Sequence, residues 1–426
     1  MTSRTAVMEA VEKLNYRVTI GDVAAQSGLD LNTAQREVLA IASETGGNIQ
    51  VAESGEIAYK FAPNFREILV SRSFWLQVKE WLRGVWKWVF YGIRISFGIL
   101  LIVSIVIVVV GIIAATIALQ SQNRNDNDRN DRRSDRGGGG FFWLGGFGNP
   151  FGNPFMVFDP YYYEPQRIRE RDPDEMGFLE SVFSFLFGDG NPNADLEERR
   201  WRELATMIRS NNGVVVAEQI APYLDNVVYK ENDEYFVIPV LAKFNGFPEV
   251  SDTGTLAYKF PELQKVASER KSKTKSTYLQ ERAWQFSKAP QGKIALAIGL
   301  GVFYLVAALY LGSLLGRLAL ASGFLGLLKA AYGLLLGYAV LFLSTPAVRY
   351  FVLQYLNGGI SDRNQKRAAI AEQLRQPSAT LREKLEFAST FATKQEVIDQ
   401  NNLAYTTEQD LADQEYAKML KENKEI

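Results

Sequence analysis

Between Ile95 and Leu119 the chain runs for 25 residues without a charged side chain. At about 1.5 Å of rise per residue, a helix of that length crosses a bilayer core of about 30 Å, so the run predicts a membrane span. Two further apolar runs, near Ile294–Gly316 and Phe324–Leu343, are joined by a short connection containing Arg317 and predict a helical hairpin over 294–345. Upstream of the first span, Trp75, Trp81, Trp86, Trp88 and Tyr91 interleave with Lys79, Arg83, Lys87 and Arg94, the pattern of an interfacial aromatic and basic belt. Residues 67–94 are expected to form an amphipathic interfacial segment, with Lys79, Arg83 and Lys87 on lipid headgroups. The basic segment 264–293 is expected to do the same through Lys271, Lys273 and Lys275. The spacings Gly312-x-x-x-Gly316 and Gly333-x-x-x-Gly337 allow close helix contact, and such spacings also arise by chance in membrane helices.

Outside the spans, Val51-Ala-Glu-Ser-Gly-Glu-Ile-Ala-Tyr-Lys-Phe61 and Val250-Ser-Asp-Thr-Gly-Thr-Leu-Ala-Tyr-Lys-Phe260 read almost alike. Each follows a pattern of short helices and ends in two strand-like runs around a glycine turn. In residues 1–66 helices are expected over Ala6–Leu14 and Ile20–Gly28. A third is expected from an Asn32 cap to Thr45, with Ala34, Val38, Leu39 and Ile41 facing inward. Strands at Ile49–Ala52 and Ile57–Phe61 complete a wing. Residues 195–263 repeat the order with Leu196–Arg209, Val216–Leu224, Tyr235–Phe244 and a wing over Phe247–Phe260. The expected fold class is thus a membrane α-helical protein with two winged-helix-like α+β modules.

A winged helix suggests DNA, but charge argues against it. Residues 1–66 carry six basic and eight acidic side chains, a net −2, and residues 195–263 carry seven and twelve, a net −5. The third helices offer only Asn32, Gln35, Arg36 and Lys243, too little to neutralise phosphates. A protein partner is favoured over nucleic acid, with Arg36, Tyr59, Lys60, Tyr258 and Lys259 as candidate interaction residues. Alternating Tyr and Phe in a wing also commonly fill core, so the tyrosines carry a structural reading beside the functional one.

The chain has no Cys and no His, which removes thiol nucleophiles, disulfides, thiolate-bound metals and imidazole chemistry. No enzyme activity and no cofactor are expected. Asp189-Gly-Asn-Pro-Asn-Ala-Asp195 spaces oxygen side chains like a calcium loop, but Ala194 stands where glycine is needed and Arg200 where a bidentate Glu is needed. A turn with Asp195 capping the next helix and Glu198 closing a capping box is the favoured reading. Lys329, the one charge inside the third span, lies near the hairpin tip and is expected to snorkel.

Residues 120–194 read as a disordered or membrane-surface linker, polar over Gln120–Arg136 and uncharged but rich in Gly, Pro and Phe over Gly137–Phe158. A re-entrant segment there is the disfavoured alternative. Residues 346–426 read as a charged helical tail broken at Pro377, with Ala369, Ile370 and Leu374, then Leu381, Leu385 and Phe387, as apolar faces. Basic residues before the second span and after the third place both hairpin ends on the cytoplasmic side. Around the first span the basic counts tie. A single crossing there would separate the two modules, whereas a shared compartment, the favoured reading, requires a return.

Arg94-Ile-Ser-Phe-Gly-Ile-Leu-Leu101, Phe183-Ser-Phe-Leu-Phe-Gly-Asp-Gly-Asn-Pro-Asn193, Leu256-Ala-Tyr-Lys-Phe-Pro-Glu-Leu263 and Leu403-Ala-Tyr-Thr-Thr-Glu-Gln-Asp-Leu411 together resemble a family of poorly characterised cyanobacterial integral membrane proteins with plant plastid counterparts. The resemblance covers most of the chain. It implies an oxygenic phototroph and a thylakoid or plasma membrane. Some plant members carry an iron–sulfur cluster biosynthesis label, but this chain has no Cys to ligate a cluster, which argues against scaffolding. The leading expectation is recruitment of a protein partner, in assembly or maintenance of photosynthetic membrane complexes. A membrane-tethered transcription regulator and a transporter component are the alternatives.

Overall fold

The computed structural model describes residues 2–72, 74–125, 176–225, 234–267, 276–318, 322–392, 396–398, 403–410 and 412–415. They form two compact units, one from Met1–Lys87, Asn191–Trp284 and Leu353–Ile426, the other from Trp88–Gly190 and Gln285–Val352. The described chain is mostly helical, with small sheets.

The first unit opens with α1 (Ser3–Lys13), β1 (Arg17–Val18), α2 (Ile20–Ser27), α3 (Leu31–Thr45), β2 (Asn48–Ala52) and β3 (Ile57–Lys60). Thr19 and Asp22 form a reciprocal capping box that starts α2, and Gly28 at φ 74° ends it. Helix α3 starts at Asp30, whose carboxylate accepts from Thr33 N–H, so the expected Asn32 cap is displaced by two residues. Its inner face is Leu31, Ala34, Val38, Ile41 and Ala42. Leu39, expected inside, is 43% exposed, because it falls off the stripe those positions set. Strand β3 pairs antiparallel with both β1 and β2, with Val18 and Ile49 each opposite Tyr59.

Next come α4 (Phe65–Arg72), α5 (Phe74–Asn125) and α6 (Phe178–Phe187). A second module follows: α7 (Leu196–Ser210), β4 (Val214–Val215), α8 (Ala217–Ile220) running into a 3-10 turn, then a 3-10 turn at Tyr235–Val237 leading into α9 (Ile238–Phe244), β5 (Phe247–Val250) and β6 (Leu256–Lys259). The sheet order β4-β6-β5 matches β1-β3-β2, with Val215 and Pro248 each opposite Tyr258. Local bonding matches as well. Phe61 N–H donates to Tyr16 O at 2.8 Å and Phe260 N–H to Gly213 O at 2.8 Å. Gly55 and Gly254 turn the two hairpins at φ 84° and 81°, where a side chain would be strained. Asp195 stands at the start of α7 but makes no capping bond. Its backbone (φ −99°, ψ 11°) lacks the extended geometry a cap needs, and its carboxylate faces Arg202 and Arg282 instead.

The two modules share one hydrophobic core. Val11, Ile41, Phe61 and Phe65 join Leu204, Ile208, Phe244 and Phe260 in a single buried cluster. The remaining elements are α10 (Pro261–Gln264), β7 (Lys265–Val266), α11 (Gln291–Arg317), α12 (Gly323–Gln373), α13 (Ala379–Thr390), β8 (Glu396–Val397) and β9 (Leu403–Thr406). Helix α13 lays Leu381 and Ala388 on Val214, Val216 and Ala257 of the second module. Strand β8 pairs in parallel with β7, and β9 extends the first sheet beside β2. In α12 the expected apolar position Ala369 is exposed, while Ile360, Arg367 and Ala371 are buried.

The second unit is built from α5, α6, α11 and α12 around Leu101, Val108, Tyr304, Ala308, Leu311 and Phe342. Among the described residues, three helices are long and apolar enough to cross a membrane. The third does not end near residue 345 as expected: α12 continues through Pro346, since a proline in an apolar helix costs a hydrogen bond without forcing a break. Large side chains fill glycine notches here. A Cβ on Gly111 would meet Leu328 at 2.4 Å, on Gly301 Phe342 at 2.7 Å and on Gly312 the Tyr332 hydroxyl at 2.0 Å. Gly316, Gly333 and Gly337 face open space, so the anticipated small-residue pairs do not form the contacts. Within the stretch expected to be a linker, α6 is folded. Phe185 and Leu186 are buried in this core, and Leu179 packs on Gly98. Lys329 is exposed on α12.

Candidate interaction surface

Strand alternation decides which residues of β3 and β6 reach the surface. Tyr59 and Tyr258 are each 4% exposed and point into the shared core, so both tyrosines serve packing. Burial raises the phenol pKa of each, and in Tyr258 a 2.5 Å hydrogen bond donated to Glu234 raises it further. Lys60 and Lys259 point the other way. Lys60 donates to both carboxylate oxygens of Glu408, at 2.7 and 2.9 Å, in the turn after β9. Lys259 is half-buried and makes no ion pair among the described residues. Arg36 is exposed on α3 and donates to Thr33 Oγ1 at 3.3 Å.

The tail strand was missed at the sequence level, although its signal is present. Leu403-Ala-Tyr-Thr repeats the pattern of Ile57-Ala-Tyr-Lys and Leu256-Ala-Tyr-Lys. It lies on β2 with Val51 opposite Tyr405 and Gln50 opposite Thr406. Thr407 N–H donates to Ile49 O at 3.0 Å, and Thr407 Oγ1 accepts from Ile49 N–H at 2.8 Å.

Charged groups between elements are largely committed to structure. Asp22, fully buried, pairs with Arg209 of the second module at 2.9 Å and accepts from Ala267 N–H. A carbon on Gly21 would sit 2.0 Å from Glu262 O, which shows how closely α2 and α10 approach. Lys384 of α13 donates to Glu218 and Glu234; burial opposes its charge, yet those bonds hold its pKa above the usual lysine value. Lys243 of α9 lies 4.8 Å over the Trp201 ring, and burial depresses its pKa against the pull of Asp30 and Glu197.

An extended strap over residues 279–284 is clamped by α12. Asn364 bonds both N–H and C=O of Glu281, and Asn357, two helical turns away, does the same for Trp284. The Glu281 carboxylate, 6% exposed, takes Arg363 and Arg367. A cavity of about 430 Å³ beside the strap is lined by Arg199, Glu203, Ser276, Tyr278 and Arg282.

Of the residues expected at lipid headgroups, Lys87 is exposed on α5. The side chains of Lys79 and Arg83, and all of Lys271, Lys273 and Lys275, lie outside the described residues. In the second unit Asp189 accepts from Arg94 and Ser184, at 2.7 and 2.6 Å, and from Lys288 N–H. The carboxylate that opened the calcium-like spacing is therefore occupied by protein donors. No cluster of metal-ligating side chains occurs among the described residues.

These features define a protein with three membrane-length apolar helices and two small α/β modules fused on one core. The chain is 38% identical over 431 residues to a protein of Arabidopsis thaliana described as uncharacterised protein At5g03900, chloroplastic, covering 97% of this chain and 80% of that relative. The chain belongs to the family of that plastid protein. No family model and no solved structure matches it.

Proposed function

We propose that this protein is a non-enzymatic membrane adaptor whose paired winged-helix-like modules recruit a protein partner, in the assembly or maintenance of photosynthetic membrane complexes. The observation that carries the reading is the fusion of two net-acidic modules on a single core, with α9's one cation folded onto Trp201. A surface of that charge repels polyanions, while the β5 edge of the second sheet, uncovered among the described residues, suits an extended polypeptide. The element order and strand registers of the two modules support a duplicated winged helix. The plastid relative supports a photosynthetic setting, with a cyanobacterial thylakoid or plasma membrane as the proposed location.

The shared core supports a topology in which both modules lie on one side of the membrane. The basic residues flanking the hairpin support the cytoplasm as the proposed side. In the second unit Lys293 donates to Met176 O and Arg94 reaches Met176, while Asn125 lies at the far end of α5, about 46 Å along the helix from Arg94. Met176 thus lies at the Arg94 end of α5, which supports a shared compartment for the two modules.

Crosslinking in intact membranes followed by affinity isolation of the full chain tests the reading; a specific partner is expected, and none above the untagged control contradicts it. The rival, a membrane-tethered regulator, requires duplex DNA binding by the full chain in nanodiscs at low salt, where electrostatic attraction is strongest.

A further inference from the structure

We propose that strand β5 of the second module is a docking site for an extended strand of a partner polypeptide, added antiparallel and bringing a carboxylate to Lys259. The proposal rests on the protein-binding reading above and gives it a surface. Its argument is a comparison of two matched edges. On the first module, β2 is covered by β9, and Glu408 of the added chain closes on Lys60. On the second, β5 holds the place of β2 and is the last strand of its sheet among the described residues.

The register says what that edge offers. Ser251 N–H turns inward to Thr255 O at 2.9 Å, as Ala52 N–H does to Glu56 O at 2.8 Å. Backbone groups alternate along a strand, so Phe247 and Glu249 also face β6, whereas Pro248 and Val250 face outward. Pro248 has no N–H to give. At the matching position Ile49 N–H bonds the Thr407 hydroxyl rather than the ladder, so proline removes that one bond and keeps the carbonyl that Thr407 N–H uses. Val250 keeps both donor and acceptor, as Val51 does opposite Tyr405. Proline also discourages indiscriminate pairing at an exposed edge.

Two side-chain features agree. Val250 is 61% and Phe247 42% exposed. Lys259 stands opposite Phe247 as Lys60 stands opposite Asn48, and among the described residues it lacks the carboxylate Lys60 has. Strand addition draws affinity from main-chain bonds and specificity from side chains. The occupant that fits carries an aromatic, two hydroxyl residues and an acid in sequence, the order of Tyr405-Thr406-Thr407-Glu408.

The probe is a fluorescent synthetic peptide with the sequence of residues 402–410, titrated onto the full chain in lipid nanodiscs. Saturable binding with slowed hydrogen exchange at the Val250 amide is expected. Lys259→Glu should weaken binding at least tenfold, and a peptide with Lys in place of its Glu should restore it. Val250→Pro, which removes only an outward N–H, should abolish binding while leaving the unfolding midpoint unchanged. Absence of saturable binding, indifference to Lys259→Glu, or loss on Lys60→Glu instead, which would mean exchange with β9 on the first module, overturns the proposal. A crosslinked partner that persists in Lys259→Glu sinks this edge and leaves the adaptor reading intact; no partner for the unmodified chain sinks the adaptor reading itself.

Discussion

Asp22 and Arg209 meet at 2.9 Å across the seam between the modules, with the carboxylate wholly buried and the guanidinium mostly so. Removing one member of a buried pair strands the other charge and typically costs about 3–5 kcal/mol. Arg209→Met, which strands the buried carboxylate, should therefore lower stability by about that amount, and adding Asp22→Asn, whose amide oxygen still accepts from Thr19 and Ala267 N–H, should recover much of the loss. Denaturant titration of the full chain in detergent measures both. Equal stability of the single and double variants would mean that the pair does not hold the seam.

Glycines at the seam and in the hairpin should differ. Gly21→Ala drives a methyl group into the Glu262 carbonyl, and overpacking of that kind costs about 1–3 kcal/mol. Gly254→Ala has open space but inherits φ 81°, so its cost is backbone strain of about 1–2 kcal/mol. Thermal melts check the totals, and only Gly21→Ala should raise hydrogen exchange across α2 and α10 together.

Acid should release the strap. Hydrogen bonds from Arg363, helped by Arg367 and opposed by burial, hold the Glu281 carboxyl below the ordinary value of 4.5. A depressed folded pKa stabilises the fold fully above that ordinary value, and the contribution is lost as pH falls through the folded value beneath it. Hydrogen-exchange protection at Leu279–Trp284, taken relative to the intrinsic exchange rate at each pH, should fall below about pH 4.5 and stay flat from about pH 5 to 8. In Glu281→Gln the acid-dependent step should vanish.

The tail contributes through its strand more than through its surface ion pair. Lys60 and Glu408 are both more than a third exposed, so Lys60→Ala should cost under about 1 kcal/mol. Deleting residues 396–410 removes β8 and β9 and uncovers Ala52 and Ala58, which are buried against Ile398 and Leu403. That deletion should destabilise the first module clearly more than Lys60→Ala in the same melt.

Local signals made much of this architecture legible. Periodicity and turn residues placed the helices and both hairpins, because Gly55 and Gly254 mark turns that few other residues adopt. Hydropathy located the three membrane-length apolar helices for the same kind of local reason. Contacts between distant segments were not legible. Nothing near Asp22 announces Arg209, and nothing near Gln50 announces Thr406. The clamp of Asn357 and Asn364 on the strap joins residues about 73 and 83 positions apart and has no local pattern. Helix α6 was obscured by the Gly- and Pro-rich sequence before it, although Phe178-Leu-Glu-Ser-Val-Phe-Ser-Phe-Leu-Phe187 has the apolar spacing of a buried helix. At the candidate surface the burial of Tyr59 and Tyr258 fits the structural reading their alternation with Phe allowed, while the ion pair of Lys60 with Glu408 had no local signal, since a strand's two faces cannot be assigned until its neighbours are known.

The central claim is that the two modules form one body on one side of a membrane. The chain's lack of cysteine gives a clean background for single-site labelling with a membrane-impermeant maleimide. Gln35→Cys and Asp252→Cys, both at exposed positions, report the two modules, and exposed Ser322→Cys reports the position just before α12. In sealed, oriented vesicles the first two should label from the same side and Ser322→Cys from the other. Labelling of Gln35→Cys and Asp252→Cys from opposite sides would contradict the account.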